Sequence, residues 1–280
     1  MHLFGNMPAE RNTLSTLGYA LGYAGALCSF LLCLPLMKIS GGAYFFHGAF
    51  IIAALWWLTG ALPLFFKVKE APVSAAVPSV KFTETFRYIF AQKNILLFLI
   101  AYFLYIDGVG TILLAATPLA SGLKISGTMI MLTILALQII GLPFTLLYGK
   151  LAEKFSAKRM IYIAIAVYFL IAVIVTVMSF CPDLLVRQIL FYTAAALIGT
   201  SQGGIQSLSR SLFSQIIPGE RAAELFAVYN IFGKFTTIVG PVLIASATLL
   251  WDKAELGISM LILPFILGLI LLSKVKVPEN

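Results

Sequence analysis

Charge is the property that this sequence of 280 residues has least of. Charged residues make up 11% of it and hydrophobic residues 61%, whereas about a quarter of the residues in soluble domains are charged. The composition therefore excludes an ordinary soluble domain. Cysteine and histidine are scarce as well, with three and two copies. The spacing of Cys28, Cys33 and Cys181 suits neither a zinc site nor a disulfide framework.

Several motifs of enzyme chemistry are also missing. The sequence contains no glycine-rich phosphate-binding loop ending in Lys-Ser or Lys-Thr, so no ATP-driven mechanism is visible. No acidic pair has the spacing for Mg²⁺-diphosphate chemistry, and His2 and His47 stand alone. We therefore expect a protein that is not an enzyme and that holds no metal or cofactor.

Long apolar runs dominate what is present. A helix needs about 20 apolar residues to cross a hydrocarbon core about 30 Å thick. The runs that meet this length predict an all-α integral membrane protein, a bundle of about eight transmembrane helices. They cover 14–37, 44–66, 94–118, 127–148, 160–180, 184–206, 224–249 and 255–273.

The distribution of basic residues predicts the orientation. With the amino terminus inside, 14 of the 19 Lys and Arg residues fall in cytoplasmic segments and four outside, Lys234 lying within a span. Cytoplasmic loops carry the excess of Lys and Arg, so we expect both termini in the cytoplasm. The longest loop, 67–93, ends in an amphipathic stretch, with Phe82, Phe86, Ile89 and Phe90 on one helical face. It predicts a short helix on the inner membrane surface.

Polar side chains in the spans follow a period of three. The second, fifth and eighth spans carry almost none, which predicts that they face lipid. Two polar residues mark each of the third, fourth, sixth and seventh spans: Asp107 and Thr111, Thr133 and Gln138, Gln202 and Gln206, Asn230 and Lys234. The first span has small residues, Gly18, Gly22 and Ala26, whose spacing permits close helix contact. Such a repeat is typical of secondary transporters.

Two ionisable residues lie deep in spans. Asp107 can act as a proton carrier or bind a substrate ammonium group, or it can make a structural contact between helices. Lys234 shares a helical face with Asn230, and it can bind a substrate carboxylate, pair with Asp107 or extend towards the cytoplasm. The residues alone leave both readings open.

A stripe of polar side chains follows one face of the sixth span. Gln202, Gln206, Ser209 and Arg210 lie at helical spacing, and Gln138 adds an amide from the fourth span. Amides bind polar solutes without a permanent charge, so the stripe fits a solute path; hydrogen bonds that stabilise the bundle explain it nearly as well.

One loop between two spans carries a family motif. Residues 149–159 read GKLAEKFSAKR, which resembles the loop signature of the major facilitator superfamily, Gly-x-Leu-Ala-Asp-Arg-x-Gly-Arg-Lys. Gly149 would give a tight turn and close packing, Glu153 would meet a helix amino end, and Lys158 and Arg159 would hold the loop inside. Ser156 stands where the signature has its second glycine.

Other stretches resemble a branch of that superfamily, the autophagy-related protein 22-like effluxers and their bacterial permease relatives. They are 18–25, 102–111, 202–211, 224–234 and 240–241. The resemblance implies twelve spans in two six-helix bundles that alternate access. Because the polar-poor spans here are the second, fifth and eighth, the eight spans match spans 5–12. Residues 1–66 then end the first bundle, 67–93 connect the bundles, and 94–280 form the second.

The predicted function is secondary transport of a small polar solute, by a permease or effluxer in the lipid bilayer of the cell membrane. Proton coupling through Asp107 is one mechanism, and the resemblance alone suggests amino acids as solutes. No nucleic-acid partner is needed to explain the net charge of +8. The alternative is a truncated membrane protein that does not transport and whose intramembrane polar residues are structural.

Overall fold

The computed structural model describes residues 8–36, 43–68, 82–251 and 254–277. In these ranges the chain forms ten α-helices and one 3-10 turn, Gly219–Arg221. The helices are α1 (Pro8–Cys33), α2 (Ala43–Lys67), α3 (Phe82–Ala91), α4 (Lys93–Gly122), α5 (Gly127–Phe155), α6 (Ala157–Phe180), α7 (Leu184–Ile216), α8 (Ala222–Trp251), α9 (Ala254–Ser259) and α10 (Ile262–Lys274).

Eight segments of this bundle are long and apolar enough to cross a membrane, as the sequence predicts. Seven contain a single long helix each, and the eighth, Leu256–Lys274, runs from α9 into α10. Short connections with polar caps separate several of them. The Asp183 side chain accepts the N–H of Leu185 at 2.7 Å where α7 begins, and the Ser126 hydroxyl accepts the N–H of Met129 at 3.3 Å in α5.

The core lies where α4, α6, α7, α8 and α10 pack together. α4 is the most buried span and contacts α8 on one side and α10 on the other, while α7 packs against α5 and α6. α1 lies across α5 and α7. Aromatic side chains fill the junction of α4, α7 and α8: Tyr102 stacks on Tyr229 with ring centroids 4.3 Å apart, and Phe213 stacks on Tyr229 at 5.0 Å.

The three spans predicted to face lipid differ in their burial. No residue in the span of α2 is buried; Trp57 and Phe66 are 77% and 81% exposed, and α2 packs mainly against α1. α6 and α10 have an exposed face each, but the other face is well packed, with Tyr168 and Phe265 almost fully buried against each other. Lack of polar side chains therefore identifies one wholly exposed helix and two that are exposed on one side.

The amphipathic end of the connector forms α3, as predicted. Thr85 and Ile89 are buried against the bundle, whereas Phe82 and Phe90 are exposed. The Thr85 hydroxyl donates to Glu224 at 2.6 Å and thereby ties α3 to the start of α8. Residues 69–81 of the predicted connector lie outside the described residues.

Candidate functional site

A cavity of about 660 Å³ lies between α1 and α7, beside α5. Four of the predicted path residues, Gln138, Gln202, Gln206 and Arg210, line it together. The remaining lining comes from α1, from the end of α7 and from α8: Arg11, Leu14, Ser15, Gly18, Tyr19, Gly22, Tyr23, Ala26, Ser211, Ser214 and Phe226. The amide groups of the sixth span therefore face open space and not another helix.

Two helical repeats create this space. Gln202, Gln206 and Arg210 follow one another at steps of four residues, so they share one face of α7. Gly18 and Gly22 occupy the facing side of α1. A side-chain carbon added at either glycine would meet no atom within 4 Å. The spacing permits close helix contact, but within this chain no helix makes it at Gly18 or Gly22, and the two glycines widen the cavity.

A second cavity, of about 280 Å³, lies farther from the Arg11 end and is mostly apolar. Tyr23, Gln138 and Gln202 line both cavities, so these three side chains form the boundary between them. The Tyr23 ring lies against two glycines, Gly141 of α5 and Gly203 of α7. A side-chain carbon at these positions would come within 2.8 Å and 2.7 Å of the ring, so the ring fits only because both are glycine.

Hydrogen bonds join α1 and α7 at the end of the first cavity near Arg11. The Ser211 hydroxyl donates to Asn12 Oδ1 at 2.6 Å, and the Gln215 amide donates to the same oxygen at 3.2 Å. Asn12 and Ser211 are 3% and 2% exposed. Ser15 adds a bond to the Ser207 carbonyl oxygen at 2.6 Å. We name the Asn12–Ser211–Gln215 group the Asn12 latch.

The Asn12 latch was not predicted from the sequence. Asn12 precedes the first apolar run, where a polar residue needs no special explanation, and Ser211 and Gln215 continue α7 past its predicted end at 206. Their four-residue spacing, which places the two on one face of α7, was the available signal. Only the packing of α1 on that face brings Asn12 to them.

The loop motif binds neighbouring helices at the same end. Gly149 lies within α5, so the expected tight turn is absent, but the expected close packing is present because Thr16 of α1 lies directly against it. Glu153 Oε1 accepts the Thr13 hydroxyl at 2.7 Å, a side chain of α1 and not a backbone N–H at a helix start. Lys158 donates to the carbonyl oxygens of Ser273 and Val275, at 3.0 Å and 2.7 Å, where α10 ends. Arg159 is exposed.

The backbone conformation of Ser156 explains why the family signature has glycine at this position. Its φ is 76°, in the left-handed region that glycine adopts without steric cost. Serine at this position also contributes a cap, since its hydroxyl accepts the N–H of Arg159 at 3.4 Å.

Asp107 lies apart from both cavities. It is 2% exposed, between α4 and α8, and its Oδ1 accepts the N–H of Gly240 at 3.2 Å. Pro241 follows in α8 and has no N–H of its own. Thr111, one turn after Asp107, packs directly against Gly240. The carboxylate thus contacts α8 at its Gly-Pro step.

The other polar residues predicted to lie in the spans, Asn230, Lys234 and Ser209, do not line the two cavities. Asn230 and Lys234 are exposed on α8. Ser209, the fourth member of the polar stripe, turns to α4, where its hydroxyl and that of Tyr105 are 2.6 Å apart in the core. The structure thus brings the amides and Arg210 together, and it separates them from Asp107 and Lys234.

Comparison with known proteins identifies the family of this chain. A family model described as vacuole effluxer Atg22 like matches residues 5–280. The chain belongs to the Atg22-like family. This Atg22-like chain is 34% identical over 290 residues to YxiO of Bacillus subtilis, described as an uncharacterized MFS-type transporter, an alignment that covers 98% of this chain and 65% of that protein.

The yeast relatives are more distant. Autophagy-related protein 22 of Vanderwaltozyma polyspora is 27% identical over 87% of this chain, and that of Saccharomyces cerevisiae 24% over 85%. The alignments cover 52% and 51% of these proteins. The Atg22-like chain therefore spans between half and two thirds of the length of these three relatives. The family model is described as an effluxer and the Bacillus relative as a transporter, which confirms the family and the non-enzymatic class predicted from the sequence.

Proposed function

We propose that this chain forms the solute path of a secondary transporter that moves a small polar solute by alternating access. The observation that carries the proposal is the pair of cavities on the two sides of Tyr23, Gln138 and Gln202. A path with one boundary inside it is what alternating access requires, because the solute site must open to one side at a time.

The polarity of the first cavity supports a solute path over a purely structural role. Three amide side chains, from Gln138, Gln202 and Gln206, line it, and none of the described hydrogen bonds between side chains uses them. Polar residues that only hold a membrane bundle together would bond to neighbouring helices. Tyr105, Ser209 and Asp107 follow that pattern, which supports a structural role for them.

The proposal includes the arrangement of the chain. Residues 1–66 belong to the end of one bundle, 67–93 connect it, and 94–280 form a six-helix bundle. The packing of α1 across α5 and α7, with a cavity between α1 and α7, supports an interface of two bundles at this place. The excess of Lys and Arg supports a cytoplasmic location of the Arg11 end, and we assign the protein to the cell membrane.

For Asp107 we propose a positioning role, in which its carboxylate holds α4 against the Gly240–Pro241 step of α8. The competing hypothesis is a proton carrier. Asp107→Asn separates the two, since an amide oxygen still accepts the Gly240 N–H but cannot exchange a proton at transport pH. Transport by Asp107→Asn that keeps its rate and pH dependence supports positioning, whereas loss of the pH dependence in a stable variant supports the carrier.

The experiment that tests transport uses the chain in proteoliposomes with a panel of labelled amino acids, carboxylates, sugars and phosphate. Gly22→Phe places a ring in the first cavity, and we expect uptake to fall at least about tenfold. Gly60→Phe is the matched control, because Gly60 on α2 also has open space around it and lines neither cavity. Uptake of no solute above protein-free vesicles, or uptake unaffected by Gly22→Phe, would contradict the proposal.

A further inference from the structure

The charges in the first cavity are of one sign. Arg11 and Arg210 line it, and no Asp or Glu is among its lining residues. The other polar groups are amides and hydroxyls, which can donate hydrogen bonds to an anion. The lining that this chain supplies thus offers donors and positive charge and no carboxylate for a cationic group.

Arg210 has the simplest surroundings of the two arginines. Its guanidinium lies over the Phe226 ring, 5.8 Å from the centroid, and its side chain is exposed to the cavity. Among the residues that the structure describes, no carboxylate lies within ion-pair distance of Arg210. Ring contact orients a guanidinium but leaves its edge open, and that edge binds carboxylate or phosphate through two parallel hydrogen bonds.

We propose that the solute of this cavity is a small anion, a carboxylate or phosphate compound, and that Arg210 binds its charged group while Gln202 and Gln206 bind its polar remainder. This inference rests on the proposed function, since it names the solute class of the same cavity. A zwitterion such as an amino acid would place its ammonium group where the described lining has no negative charge.

The alternative explanation of Arg210 is topology, because arginine on the cytoplasmic side orients a membrane protein without binding anything. Arg87 provides the matched control. It is the same residue type, is exposed on α3 and lines neither cavity, so Arg87→Gln removes the same charge at another place. An effect of topology or of net charge would be shared by both variants.

The test measures the charge preference of the cavity directly and does not depend on transport. Gly22→Cys, in a chain whose three native cysteines are replaced by serine, places a thiol in the first cavity. Its rates with anionic sulfonatoethyl and cationic trimethylammonioethyl methanethiosulfonate are divided by the rates of a free thiol. The measured quantity is the ratio of the corrected anionic rate to the corrected cationic rate. A positive charge roughly 10 Å from the thiol, at an effective dielectric constant of about 40, raises the first rate about fourfold and lowers the second about fourfold. One charge therefore changes the ratio about 16-fold.

We expect the anionic reagent to be favoured, Arg210→Gln to reduce the ratio by about that factor, and Arg87→Gln to leave it within about twofold. High salt should weaken the preference, because screening shortens to about 3 Å at 1 M. A cavity that does not favour the anionic reagent, or a ratio that Arg210→Gln leaves unchanged, would overturn the proposal.

A second arm identifies the anion. Succinate and inorganic phosphate are added as competing solutes, with glucose and lysine as neutral and cationic comparisons. Slower modification of the introduced thiol in the presence of succinate assigns a carboxylate, and slower modification in the presence of phosphate assigns a phosphate. Arg210→Lys keeps the charge and should keep the rate ratio while losing most of this protection. If neither anion protects, the assignment of an anionic solute is wrong, while the uptake experiment still decides transport independently.

Discussion

The Asn12 latch gives a prediction that the structure makes quantitative. Asn12→Leu keeps the approximate volume of the side chain and removes the oxygen that accepts the Ser211 hydroxyl and the Gln215 amide. Leaving a buried donor without a partner costs about 1–3 kcal/mol. Ser211 is buried and Gln215 only partly so, and we therefore expect a total of about 2 kcal/mol, which is about a 30-fold change in an equilibrium constant.

The affected equilibrium is the separation of α1 from α7 at the Arg11 end. Amide hydrogen exchange in lipid nanodiscs measures it, because exchange in a locally opening segment follows the free energy of that opening. We expect exchange over 8–20 to become about 30-fold faster in Asn12→Leu, with α10 unchanged.

Thr16→Val is the matched control for the Asn12 latch. Thr16 is buried one turn later on α1, but its hydroxyl bonds only to carbonyl oxygens of its own helix, those of Asn12 and Thr13. Valine keeps the shape that packs against Gly149, so exchange should change by less than about threefold. Equal acceleration in both variants, or none in Asn12→Leu, would refute the claim that the Asn12 latch holds the two helices together.

Three other contacts give predictions for the same protein. Asp107→Leu removes the acceptor of the Gly240 N–H and should lower the free energy of unfolding by about 1–3 kcal/mol in a denaturing-detergent titration, whereas Asp107→Asn should keep most of it; equal losses would contradict the positioning role. Tyr105→Phe deletes only the hydroxyl that meets Ser209 and should cost about 1 kcal/mol in that titration; no loss would show that the bond is energetically neutral. Lys158→Met removes the donor to the last carbonyl oxygens of α10 and should speed amide exchange over 262–274 about three- to tenfold; unchanged exchange would show that these bonds do not hold the helix end.

The spans could be predicted from the sequence because they depend on local properties. Length and hydropathy decide whether a segment crosses a membrane, and every segment that met both conditions is mainly helical in the described residues, the last one as two helices. The amide face of α7 was predictable for a similar reason, since Gln202, Gln206 and Arg210 share a face in any α-helix.

The contacts of each face could not be predicted, because they depend on how the helices are rotated against one another. Gly18 and Gly22 have the spacing of a helix contact and border a cavity, whereas Gly199 and Gly203 have the same spacing and lie directly against side chains of α5, those of Ile140 and Thr145. Asp107 is acidic and deep in a span, yet its partner is a backbone N–H beside Pro241. The position of Gly240 opposite Asp107 follows from the packing of α8 on α4, which no pattern of side chains shows.

The fit of Tyr23 between Gly141 and Gly203 has a consequence for how tightly the path can be kept closed. The ring forms the boundary between the two cavities together with Gln138 and Gln202, and a rotamer change of an unrestrained ring, which takes only nanoseconds, would open that boundary far faster than helices can move. The ring is restrained because two adjacent helices have no side chain where it lies. On the proposed path, the fit of this boundary therefore depends on two glycines, and we expect alanine at either position to displace the ring.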